Sequence, residues 1–284
     1  MGYLLLASLL FSFSFGLIGR YLGEVDPVVV SVVRLGISSL VFLPFLRVRR
    51  LGLPAILRLA GIGAVQYGLM YISYIYAFRY LAGHEVALLT VVTPLYVTLL
   101  YDWRSRRFHS LYLAAALLAV VGGMILTGRR GGGALQGIFL IQVSNICFAA
   151  GQVEYKLFCL RRGESDHGMG HFALLYLGGT LLAGMTALLG GHTGGMRLSA
   201  EAWYVLLYLG LVPSALGFYF WNQGARKVNG GVLAACNNIK IPLAILVSLV
   251  VFGEKVNGLR LGAGVVLMLV ALVATRFQRT GSGG

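Results

Sequence analysis

Apolar residues run along this chain for about 20 positions at a time, the length that crosses a bilayer, and each run ends at glycine, proline or a charge. The runs fall at 3–22, 27–46, 57–78, 84–101, 110–127, 135–158, 171–189, 202–221, 231–252 and 259–276. Lipid offers no partner to an unpaired backbone group, so a span must be a helix or part of a closed barrel, and a barrel strand would alternate apolar and polar at every second position. The runs are continuous. The pattern therefore predicts an all-α integral membrane protein with ten transmembrane helices.

Composition agrees. Of 284 residues 58% are hydrophobic and 11% charged, with a mean hydropathy of +0.83, whereas a soluble domain carries about 25% charge. Ten spans with short loops use up the chain and leave no extramembrane domain. The first run has no basic residues before it and no A-x-A-like site after it, so it reads as a retained span instead of a cleaved signal. Residues 281–284 (GSGG) read as an appended expression scar.

The excess of 23 Lys+Arg over 9 Asp+Glu, net +14, would suggest nucleic acid in a soluble protein. Here it sorts by loop. One alternate set of loops holds Arg47, Arg49, Arg50, Arg58, Arg104, Arg106, Arg107, Arg161, Arg162, Arg226, Lys227, Arg276 and Arg279; the other holds Arg20, Arg79, Arg129, Arg130, Arg197, Lys255 and Arg260. Positive charge marks the cytoplasmic side, so both termini are expected there and no nucleic-acid partner is implied. Three cysteines without CxxC spacing indicate neither disulfide nor metal, and no GxxxxGK[ST] or HExxH motif is present. No cofactor and no catalysis are expected.

A repeat organises the spans. Setting Pro94 on Pro242, a shift of 148 positions, also sets Tyr71 on Tyr219, Gly83 on Gly231, Ala87 on Ala235 and Leu111 on Leu259 without a gap. Spans three to five thus recur as eight to ten. A unit of five helices enters the membrane from the opposite face at its second occurrence, which gives two inverted repeats, residues 1–133 and 134–280, with a midplane site between them.

These features resemble the drug/metabolite transporter superfamily, and within it the EamA-type bacterial carriers. The likeness covers essentially the whole chain and rests on VVRLGISSLVFLPFL with Arg34, AFRYLAGHEVALLTVVTPLYVTLL with Pro94, and ARKVNGGVLAACNNIKIPLAILVSLVVFGEKVNGLRLGAGVVLML with Pro242 and Glu254. Two departures stand out: Arg106 occupies the place matched by Glu254, and span nine carries Asn237, Asn238 and Lys240 where many relatives are apolar. The resemblance implies a secondary carrier in the cytoplasmic (inner) membrane, often an exporter of amino acids or other small metabolites. A phosphorylated-sugar or nucleotide-sugar carrier, a membrane-embedded enzyme acting on a lipid-linked substrate and a passive pore are the alternatives.

Polar groups inside the spans are the candidate binding residues. Lys240 near mid-span costs about 2.5–3.5 kcal/mol to insert and reads either as the receptor for a substrate carboxylate, with Asn237 on the same face, or as the partner of Glu154. Gln142, Asn145 and Gln152 share one face of span six and suit a wet cavity or interhelical hydrogen bonds. Tyr71, Tyr219, Thr93 and Asn222 complete a cavity expected between spans three, four, eight and nine. Arg34 reads as a fixed structural charge, with a gate ion pair as the alternative. Trp221 reads as interfacial belt. Candidates for proton coupling are His84, Glu85 and Glu154.

Overall fold

The structure, a computed structural model, describes residues 2–46, 51–104, 121, 131–162, 169–192, 198–226, 230–254, 257–259, 261–263 and 265–266; the side chains of 102, 131–132, 226 and 230–239 are outside that description. Among the described residues there are helices and no strands, and seven helices are long and apolar enough to cross a membrane. Predicted span five and most of span ten fall outside the described residues.

Spans one and two are α1 (Gly2–Tyr21) and α2 (Pro27–Phe42). Pro27 begins α2 where its missing N–H costs nothing, and Asp26 caps it, accepting from the N–H of Val28 at 2.8 Å and of Val29 at 3.3 Å. Span three joins α3 (Leu53–Gly63) to α4 (Met70–Ala77) through a π-helical segment, Ala64–Leu69. Span four is α5 (Gly83–Leu89), a 3₁₀ turn at Thr90–Val92 and α6 (Thr93–Arg104). The break has a cause: Pro94 has no N–H to give the Thr90 carbonyl. Instead Thr93 Oγ1 donates to that carbonyl at 2.7 Å, and Asn145 Nδ2 donates to Leu89 O at 3.0 Å.

Span six is α7 (Gly131–Arg162) and span seven α8 (Met169–Leu189). Span eight joins α9 (Ala200–Leu209) to α10 (Phe218–Arg226) through a second π-helical segment, Gly210–Gly217, where Pro213 removes a backbone donor and the wider turn accommodates its ring. The shift of 148 lays the first π segment on 212–217, inside the second. Span nine is α11 (Gly230–Val250).

The packing pairs off in the same way. Helix α1 lies along α11 as α6 lies along α7; α2 packs on the π segment of span eight as α8 packs on that of span three; and α1 packs on α10 as α7 packs on α4. Contacts of α2 with α8 and of α5 with α11 join spans that the repeat would make equivalent. Small residues permit the closest of these approaches. A Cβ on Gly63 would stand 1.8 Å from the Leu175 carbonyl oxygen, and one on Gly178 would stand 2.0 Å from that of Ala60.

Candidate functional site

A cleft with about 670 Å³ of empty space, open solvent included, lies where the two halves meet. Beyond the expected spans three, four, eight and nine, spans one, two and six also reach it. Its wall holds Phe11, Ser14 and Phe15 from α1, Arg34 from α2, Met70, Tyr71 and Tyr74 from α4, Thr90 and Thr93, Ser144, Asn145 and Phe148 from α7, Pro213, Phe218 and Trp221 from span eight, and Lys240 from α11. Ligand pockets commonly have this character, an apolar wall with a few converging polar groups.

Arg34 is 2% exposed. Its Nη2 donates to Ser214 Oγ at 3.0 Å and to Tyr71 Oη at 3.4 Å, Tyr71 donates to the same serine at 2.8 Å, and the Tyr71 ring lies 4.5 Å from the guanidinium carbon. Nε and Nη1 have no hydrogen-bond partner. The second π segment creates this arrangement, since it carries Ser214 and Pro213 to the wall while Ser38 Oγ donates to the Gly210 carbonyl at 2.9 Å.

Of the predicted binding residues, Lys240, Tyr71, Thr93 and Asn145 come together on this wall. Thr93 Oγ1 and Asn145 Oδ1 stand 3.2 Å apart, and Gln142 behind them accepts from Tyr96 Oη at 2.9 Å. Three others are elsewhere. Tyr219 packs among Phe42, Phe172 and Phe220. Asn222 donates to the Phe218 carbonyl at 2.8 Å. Gln152 is half-buried and outside the lining. The Asn237 side chain lies outside the described residues.

Two readings are corrected. Glu154 does not partner Lys240, because it stands at the far end of α7, 2.9 Å from Arg58 and 3.8 Å from Arg104. Trp221 is not an interfacial residue: it is 2% exposed and faces the cavity. Ser14 and Ser144 gave no signal in the sequence, whereas Tyr74 stands in a stripe with Tyr67 and Tyr71 at spacings of three and four along span three. Arg34, which reads from the sequence as a fixed structural charge, lines the cavity with two unpartnered nitrogens.

The three coupling candidates are all engaged. Glu85 Oε2 accepts from the Ala82 N–H at 2.9 Å, at the start of α5. His84 Nδ1 stands 2.5 Å from Glu254 Oε2. Partial burial would raise the Glu254 pKa, but the His84 ring and the N–H groups of His84 and Gly83 outweigh it and hold the carboxyl below its ordinary value. In the loop before α2, Asp26 meets His192 Nδ1 at 2.9 Å and Arg79 at 3.9 Å, and its hydrogen bonds likewise overcome burial and lower its pKa.

Comparison with known proteins decides the family. Residues 1–129 and 135–277 each match the EamA-like transporter family. The chain belongs to that family. It is similar to a biotin transporter of Salmonella typhimurium (strain LT2), 38% identical over 96% of this chain and 91% of that one, and to its Escherichia coli (strain K12) counterpart at the same identity and coverage. A probable biotin transporter of Pseudomonas aeruginosa is 36% identical over 98% of each chain. In fold, a crystal structure of a protein at 17% identity superposes with a TM-score of 0.64 over 99% of this chain and 98% of the other. The EamA-like chain is therefore a multi-pass membrane transporter of small molecules and not an enzyme.

Proposed function

We propose that the chain carries biotin, or a closely similar monocarboxylate, through the cavity by alternating access between two inverted five-helix repeats. The observation that carries this reading is the charge of the wall. Arg34 and Lys240 face the cavity among seven aromatic rings, and no acid is on its described lining. Such a wall suits an anionic end joined to an apolar body, and the neutral Thr93, Ser144 and Asn145 suit an uncharged polar head. Biotin has these three parts: a carboxylate, an aliphatic chain and a ureido ring. A zwitterionic amino acid fits less well, because desolvating its ammonium without a counter-charge is costly. Relatives named biotin transporters support the same cargo.

The two π segments in one register and the paired helix contacts support the inverted repeat; ten spans leave both termini on one side, and the basic loops argue for the cytoplasmic side of an inner membrane. Its test is uptake of radiolabelled biotin by proteoliposomes holding the full chain. Saturable uptake with counterflow is the expected result; linear, non-saturating flux would establish a pore, and saturable uptake of amino acids without biotin would overturn the cargo.

A further inference from the structure

We propose that Ser14, Arg34 and Trp221 form the docking site for the cargo's carboxylate, with Tyr71 and Ser214 as the residues that position the guanidinium. This rests on the carrier reading above and adds which end of the molecule is held where.

Three residues that line the cavity carry four buried polar atoms with no hydrogen-bond partner: Ser14 Oγ, Arg34 Nε, Arg34 Nη1 and Trp221 Nε1. Each is sealed from solvent, its residue being 5%, 2% and 2% exposed for Ser14, Arg34 and Trp221. Buried polar groups are almost always satisfied, and a group left unmet forfeits its hydration without return. Four of the ten such atoms among the described residues belong to residues that line this one cavity. The two guanidinium nitrogens and the indole nitrogen can only donate, and the serine hydroxyl can also donate. A site made of donors calls for an acceptor, and the guanidinium charge calls for an anion. A carboxylate supplies such an acceptor, with two oxygens and about four lone-pair sites.

The protein leaves this charge unanswered. Ion pairs among the described residues involve Arg58, Arg79, His84, Arg104 and His192, and none includes Arg34. Among the described residues the guanidinium's polar contacts hold it in place: Ser214 Oγ at 3.0 Å and Tyr71 Oη at 3.4 Å engage Nη2, and the Tyr71 ring lies against the guanidinium. Arginine stays charged at any pH the cell meets. The Lys240 ammonium on the same wall adds to the positive field without being required for this contact. The neutral Thr93–Asn145 pair then receives the other end of the cargo.

Ser14 is on α1 and Arg34 on α2, whereas Trp221 and Ser214 belong to span eight. An anion bound here joins the first half of the chain to the second, so its arrival and departure bear on how the halves sit against each other.

The test compares biotin with its amide, which keeps shape and loses charge. In proteoliposomes, Trp221→Phe should raise KM for biotin several-fold and Arg34→Gln by about ten- to a hundred-fold, as loss of hydrogen bonds to a charged group implies. The amide should change little in either, and Arg34→Lys should recover part of the loss. Wild-type protein in detergent should be stabilised by biotin and much less by the amide, a measurement that stands even if Arg34→Gln fails to fold. Equal stabilisation of wild type by acid and amide, or equal losses for both in Trp221→Phe, would overturn the site and leave biotin transport intact. Conversely, if wild type moves no biotin but another monocarboxylate stabilises it over its amide, and Trp221→Phe abolishes the difference, the cargo reading falls and the site stands.

Discussion

Nδ1 of His84 lies 2.5 Å from Oε2 of Glu254, tying the start of span four in the first half to the loop after span nine in the second. The same carboxylate accepts from the N–H of Gly83 at 3.1 Å and of His84 at 3.0 Å. Only glycine suits position 83, because a Cβ there would stand 2.7 Å from Glu254 Oε1 and 2.9 Å from the Phe15 carbonyl oxygen. Asp26 with His192 makes a second histidine–carboxylate pair between the halves.

Both carboxylates should make stability fall in acid. Their folded pKa values are lowered from ordinary values of 4.5 for Glu254 and 3.8 for Asp26. A depressed carboxyl contributes stability in full above its unfolded pKa and loses it as pH falls through the folded one. Melting temperature in detergent is therefore expected to be level above about pH 5 and to drop below pH 4.5. Glu254→Gln should melt lower at pH 7, by about 1–2 kcal/mol, and show a shallower acid drop. An unchanged acid limb would refute this account of Glu254.

Gly178 lies where α8 crosses α3, and the methyl of Gly178→Ala would meet backbone that cannot rotate away. Forced repacking costs about 1–3 kcal/mol. A lower melting temperature with KM for biotin unchanged in the surviving protein is expected, since the cavity wall does not include this position. Gly184, on the same helix with open space around it, serves as the control.

Glu154 and Arg58 form an ion pair with side chains 37% and 35% exposed. Such pairs contribute about 0–1 kcal/mol because solvent and salt screen them. Glu154→Gln should leave the melting temperature nearly unchanged and uptake intact at every pH. Loss of pH-driven uptake in this variant would instead return Glu154 to the coupling mechanism.

The all-helical, membrane-spanning character and the seven spans long enough to cross a membrane among the described residues were legible because bilayer thickness and backbone hydrogen bonding leave few patterns open. Lys240, Tyr71, Thr93 and Asn145 were legible as the polar exceptions in apolar runs, and exceptions in lipid need partners. The rest was not. A tyrosine or tryptophan looks alike at the interface, in a helix contact and on a cavity wall, so Trp221 was placed in the belt and Tyr219 in the cavity, and the structure exchanges them. Pairing across spans is also invisible in one dimension: Glu154 and Lys240 invite an ion pair on paper, while the helix length puts the carboxylate beside Arg58. The π segments, which bring Ser214 to Arg34, have no local signature apart from Pro213.

Lys240 provides the sharpest separation of roles inside the cavity. It reaches the wall from α11, and Glu154 pairs with Arg58 instead of neutralising it. If its charge acts on the cargo, Lys240→Met should weaken biotin about tenfold, near the lower limit of 1.5–3 kcal/mol for a hydrogen bond to a charged group, and leave the amide almost unaffected. Removing a charge from the middle of a span should also leave the melting temperature unchanged or raise it, because its insertion cost disappears with it. A lysine that instead holds the helices together would show the opposite pattern. Uptake of biotin and of its amide would fall together, and the protein would melt earlier. Measuring both solutes and the melting temperature in the one variant distinguishes a charge kept for the substrate from a charge kept for the fold.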